Sequence, residues 1–86
     1  MDSRDEFDRL IWRFIRDEGG WHLRDEIAES LALDANGKMK LCHALRRLVR
    51  EGYAVVRPDR IGRDRYGVTA LCAAPEGLTL EPDEVT

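Results

Sequence analysis

Lys38-Met39-Lys40-Leu41-Cys42-His43-Ala44-Leu45-Arg46-Arg47-Leu48-Val49-Arg50-Glu51-Gly52-Tyr53-Ala54-Val55-Val56-Arg57 changes its apolar period at Gly52. Before the glycine, Leu41, Ala44, Leu45, Leu48 and Val49 recur at the three- and four-residue spacing of one helix face. After it, Tyr53 to Arg57 is rich in β-formers and reads as a strand. Gly52 suits the left-handed residue that ends a helix. At 100° per residue the opposite helix face shows Asn36, Met39, Lys40, His43, Arg46, Arg47 and Arg50. Met39 has two readings there, an outward contact with a partner or packing against the preceding helix. The stretch therefore predicts an amphipathic helix with a basic outer face, followed directly by a strand.

Towards the C-terminus, Pro58-Asp59-Arg60-Ile61-Gly62-Arg63-Asp64 carries turn residues, and residues 65–71 read as the returning strand. The two strands form a hairpin whose tip bears Arg57, Arg60, Arg63 and Arg65. From Pro75 the chain turns acidic and loses periodicity, so residues 3–74 are expected as one domain and residues 75–86 as a flexible acidic tail.

Towards the N-terminus, Phe7, Leu10, Ile11, Phe14 and Ile15 form one helical stripe, with Asp8, Arg9, Arg13, Arg16 and Asp17 on the other face. Ser3 and Glu6 have the spacing of a capping box, and Gly19-Gly20 ends the helix. Trp21-His22-Leu23 reads as a short extended segment. A second helix then runs from residue 23 or 24 to 32, with Leu23, Ile27, Ala28 and Leu31 inward. Residues 33–37 break it and offer two N-caps for the third helix, Asp34 and Asn36.

Charge follows the same divisions. The 86 residues sum to −3, yet residues 38–65 hold nine of the fourteen Lys and Arg against three acids, a net of +6. Residues 1–37 sum to −5 and residues 66–86 to −4. A polyanion responds to the nearby field, because salt screens the rest within about 10 Å. The acidic tail could fold back on the basic wing and weaken binding there.

Length allows one small domain. No apolar run approaches the ~20 residues that span a bilayer, and the acidic start is unlike a secretory signal, so a cytoplasmic protein with no membrane partner is expected. Cys42 and Cys72 lack metal-type spacing and are expected as reduced, partly buried thiols. There is no nucleophile elbow, phosphate-cradling glycine loop or metal-binding pair, so neither an enzyme, a cofactor nor a small-molecule ligand is expected.

Helix, extended segment, helix, turn, helix and hairpin is the element order of a winged helix-turn-helix domain. Leu23-Arg24-Asp25-Glu26-Ile27-Ala28-Glu29-Ser30-Leu31 and Ala44-Leu45-Arg46-Arg47-Leu48-Val49-Arg50-Glu51-Gly52-Tyr53 carry the resemblance. The second resembles the L-x-x-L-x-x-x-G-[LY] ending of the recognition helix in MarR-like and related bacterial or phage regulators. Two features depart from them: residues 33–37 are longer or more irregular than their tight turn, and no long dimerising helix follows the hairpin. The resemblance implies an α+β fold, three helices with a C-terminal two-stranded β-hairpin wing. It also implies a sequence-specific transcriptional regulator of double-stranded DNA. Its recognition helix, about 36–51, would enter the major groove, and its wing, 57–65, would lie on the backbone or in the minor groove. The contacts would come from Asn36, Lys38, Lys40, His43, Arg46, Arg47, Arg50, Arg57, Arg60, Arg63 and Arg65. Specific use would need a homodimer or a protein partner. The alternative is a winged-helix module that binds protein and no DNA.

Overall fold

The computed structural model describes residues 3–81. Three helices, α1 (Ser3–Glu18), α2 (Arg24–Ser30) and α3 (Ala35–Arg50), pack with a three-stranded antiparallel sheet of β1 (His22–Leu23), β2 (Val55–Pro58) and β3 (Asp64–Gly67). This α+β arrangement is compatible with a winged helix. The Ser3 side chain, and with it the expected capping box, lies outside the description, as do Pro82, Asp83 and Glu84 of the tail.

The sheet corrects the expected two-stranded hairpin. Its order is β1-β3-β2, with His22 opposite Tyr66 and Val56 opposite Tyr66 from the other side. A lone hairpin would leave one edge of β3 with open backbone donors and acceptors. The extended segment between α1 and α2 fills that edge. A Cβ at Gly67 would lie 2.9 Å from the Trp21 ring and 3.0 Å from the Gly20 carbonyl, so glycine permits this close approach.

Both hairpin strands are shorter than expected. Tyr53 and Ala54 donate their amides to the Leu48 carbonyl, at 2.9 and 3.2 Å, and so finish α3 instead of starting β2. Thr69 and Cys72 close a turn, Cys72 N to Thr69 O at 3.0 Å, which ends β3 at Gly67. Pro58 sits on the edge strand, where its missing amide costs no ladder bond.

The core joins Ile11, Trp12 and Ile15 of α1 to Ile27, Ala28, Leu41, Ala44, Leu45, Leu48 and Ala54. The α1 face is rotated from the expected stripe. Leu10 is 45% exposed, whereas Trp12 and Arg16 are buried. Trp12 is the largest buried side chain, and its indole N–H finds the Tyr53 carbonyl at 2.8 Å, so burial of this ring sets the helix face. Arg16 stacks over Trp12 at 5.2 Å and donates to Asp17 at 2.8 Å and to the Thr79 carbonyl at 2.9 Å.

That last bond also corrects the expected boundary at residue 75. Pro75 is buried, Leu78 and Leu80 pack on the core, and Ala73 N donates to Gly52 O at 3.0 Å. Residues 72–80 are thus a strap held against the helices, because their apolar side chains cover core that α1 and α3 leave open.

Candidate nucleic-acid interface

The start of α3 depends on how α2 stops. Leu33 N donates to Ala28 O at 2.9 Å and Ala32 N to Glu29 O at 3.1 Å, the paired bonds of a Schellman cap. The left-handed position in that cap is Ala32, φ +53°. Asp34 then caps α3, its carboxylate accepting from Gly37 N at 2.7 Å. Of the two candidate caps, Asp34 is the one used, and Asn36 lies exposed in the first turn.

From this start, α3 buries Leu41, Ala44, Leu45 and Leu48 and exposes Asn36, Lys38, Met39, Lys40, His43, Arg46 and Arg50. Among the described residues, Lys38, Lys40, His43 and Arg46 have no hydrogen-bond or ion-pair partner for their side chains. Arg50 is 3.8 Å from Glu51, with both side chains well exposed. Met39 is 63% exposed and presents most of its side chain to solvent.

Arg47 is placed differently from its neighbour Arg46. It turns towards α1 and grips Asp8 with two parallel bonds, Nε to Oδ2 at 2.8 Å and Nη2 to Oδ1 at 2.9 Å. This fork ties α1 to α3 and takes Arg47 out of the solvent-facing set. Beside it, Arg4 and Phe7 of α1 join Lys40, His43 and Arg47 around an open cleft, which carries the basic surface off α3.

On the wing, Asp59 organises the arginines. Its carboxylate accepts from Ile61 N at 3.0 Å and Arg63 N at 2.9 Å, and from the guanidinium groups of Arg63 at 2.9 Å and Arg65 at 3.3 Å. Desolvation would raise its pKa, but these amide and guanidinium bonds prevail and hold it at about 2. Arg65 also reaches Glu26 at 3.6 Å and is half-buried. Arg57 is exposed and stacks over the Trp21 ring at 4.8 Å. Arg60 is exposed and has no ion-pair partner among the described residues.

Wing and α3 meet at Tyr66. Burial, reinforced by Asp64 and Cys42, raises the pKa of its hydroxyl, while Arg24 and Arg46 pull the other way. The hydroxyl therefore stays protonated at neutral pH and can donate. Arg24, at the head of α2, also donates to the Cys42 thiol at 3.7 Å. Chain order places Arg24 in the acidic N-terminal block, yet in space it borders the basic face, and nothing in its sequence neighbourhood signals this. Asp59 was legible in part, since Asp after Pro and three before Gly is a turn signature.

Acids also border this surface. Asp25 and Asp64 line a shallow cleft with Leu23, Arg24, Arg63 and Tyr66. Cys42 and Cys72 are free thiols, half-buried and buried, and no group of side chains among the described residues could hold a metal ion. No helix among the described residues is long and apolar enough to cross a membrane. Comparison with protein-family models, with curated proteins and with solved structures finds no match.

Proposed function

We propose that this chain is a winged-helix regulator that binds double-stranded DNA, with α3 in the major groove and the β2–β3 wing on the backbone or in the minor groove. One observation carries the reading. The outer face of α3 presents Asn36, Lys38, Lys40, His43, Arg46 and Arg50 to solvent, with no acid between Lys38 and Arg50. A helix of this width fits the major groove, where Arg pairs with guanine and Asn with adenine. Among the described residues the side chains of Lys38, Lys40 and Arg46 have no hydrogen-bond or ion-pair partner, whereas Arg16 and Arg47 are turned inward. Arg57 and Arg60 add charge on the adjoining wing. Sequence-specific use calls for a homodimer or a protein partner, since one small domain reads few base pairs.

A second reading has its own support. Asp25 and Glu26 are exposed in the first turn of α2, next to the wing, where they would repel a phosphate. They suit a protein partner with basic groups. A mobility-shift titration on mixed-sequence duplex across salt separates the two. DNA binding gives a shift at low salt and a log–log slope of about −4, from four or five neutralised phosphates. No shift at low salt would contradict DNA binding and favour the protein-binding module.

A further inference from the structure

The wing tip carries an apolar side chain that folding does not account for. Arg60, Ile61 and Gly62 form a three-residue loop between Asp59 and Arg63, with Gly62 at φ +85° in the left-handed position such loops use. Asp59 N donates to Arg63 O at 2.8 Å and Gly62 N to Asp59 O at 3.0 Å, while the Asp59 carboxylate holds the amides of Ile61 and Arg63. The loop backbone is thus fixed on both sides of Ile61. The Ile61 side chain itself is 73% exposed. Turns favour Gly, Pro, Asn, Asp and Ser, and a β-branched residue at a loop tip offers neither turn propensity nor core burial.

We propose that Ile61 is a wedge for the minor groove of duplex DNA, with Arg60 beside it as the reader of groove width. The proposal rests on the DNA-binding reading above. A minor groove about 6 Å wide excludes a helix, but a single side chain at a hairpin tip can enter it. An apolar side chain pressed between base pairs partly unstacks them, most readily at flexible pyrimidine–purine steps. An unpaired arginine is drawn to the negative potential of a narrow, A·T-rich groove. The guanine amino group projects from the groove floor and would obstruct Ile61. A loop already rigid before binding loses little entropy when it inserts. A lipid surface is the weaker fit for this tip, because one isoleucine buries little apolar area and the cations of α3 would be left without a role.

Fluorescence anisotropy with short duplexes tests this, comparing wild type, Ile61→Ala and Arg46→Ala. Ile61 is exposed, so its substitution leaves the fold intact, which a circular-dichroism melt checks. A set of duplexes places A·T, I·C or G·C pairs around a central pyrimidine–purine step. Inosine lacks the guanine amino group, so I·C resembles A·T in the minor groove only. The expected result is that Ile61→Ala weakens binding about fivefold or more on the A·T and I·C duplexes and by less than about twofold on G·C. Equal affinity of wild type and Ile61→Ala on every duplex, with Arg46→Ala still weakened, overturns the wedge and leaves the DNA-binding reading standing. A loss equal on all three duplexes also overturns it. Failure of wild type to bind any duplex at low salt removes both. Ile61-dependent binding to phosphatidylserine-containing vesicles in that case assigns the tip to a membrane surface instead.

Discussion

On α3, Lys38, Lys40 and Arg46 stand in solvent with no acid opposite them, whereas on the wing Asp59 binds two of the four arginines. The two regions hold similar numbers of Lys and Arg, five on α3 and four on the wing, and use them differently. An arginine whose guanidinium is already bonded to a carboxylate must give up that partner before it meets a phosphate. A cation that faces only water gives up counterions and hydration. Lys38, Lys40 and Arg46 are therefore free to bind, while Arg63 and Arg65 shape the wing and leave Arg57 and Arg60 to act from it. Arg46 and Arg47 repeat the contrast in miniature, one outward and one locked to Asp8.

The largest effect should come from the α3 face. Replacing Lys40 and Arg46 together with alanine is expected to weaken binding to mixed duplex by about 30-fold or more and to lower the salt slope by about 2. Thermal melting should be unchanged, since both side chains are exposed and neither has a hydrogen-bond or ion-pair partner among the described residues. A lost melting transition would mean that the face is structural. Arg47→Ala should do the reverse. It is expected to cost about 1–2 kcal/mol of stability in denaturant titration, because Asp8 loses its half-buried fork, while the salt slope of DNA binding stays the same. A reduced slope would return Arg47 to the binding surface.

The wing should show its own signature in pH. The folded-state pKa of Asp59 is depressed to about 2. Its contribution to wing order is therefore fully present above the ordinary carboxylate range near 4 and disappears as pH falls through about 2. Amide resonances of Ile61 and Arg63 should hold their positions from pH 6 to about pH 3 and move only below that. Movement centred near pH 4 would show that the carboxylate is not held.

How much of this can be read along the chain depends on whether a structural role leaves a residue-type signal. The end of α3 does: its left-handed cap residue is Gly52, φ +81°, just past the last apolar position. The end of α2 has the same pair of cap bonds but places Ala32 in that conformation, so composition gives no warning of the stop. Apart from Arg47, which Asp8 draws towards α1, the outer face of α3 follows from helical period, because core and solvent sort its side chains. The α1 face does not, because a Trp with a distant carbonyl partner and an Arg clamped to Thr79 outweigh the aliphatic stripe. The third strand and the strap are equally hidden, since both are created by what other segments leave uncovered. The hidden cap gives the smallest effect. Ala32→Gly should stabilise the protein by about 0.5–1 kcal/mol by relieving the left-handed alanine, read as a raised melting temperature. A loss of stability would show that the Ala32 side chain is needed there.

The proposed DNA-facing surface joins α3 to the wing tip. The most direct measurement is amide chemical-shift mapping of the labelled protein titrated with a short mixed-sequence duplex at low salt. Perturbations should concentrate at Asn36, Lys40, His43, Arg46, Arg60 and Ile61, with Arg13 and the strap around Leu78 unmoved. Perturbations centred on Leu10 and the strap, or none at all, would contradict it.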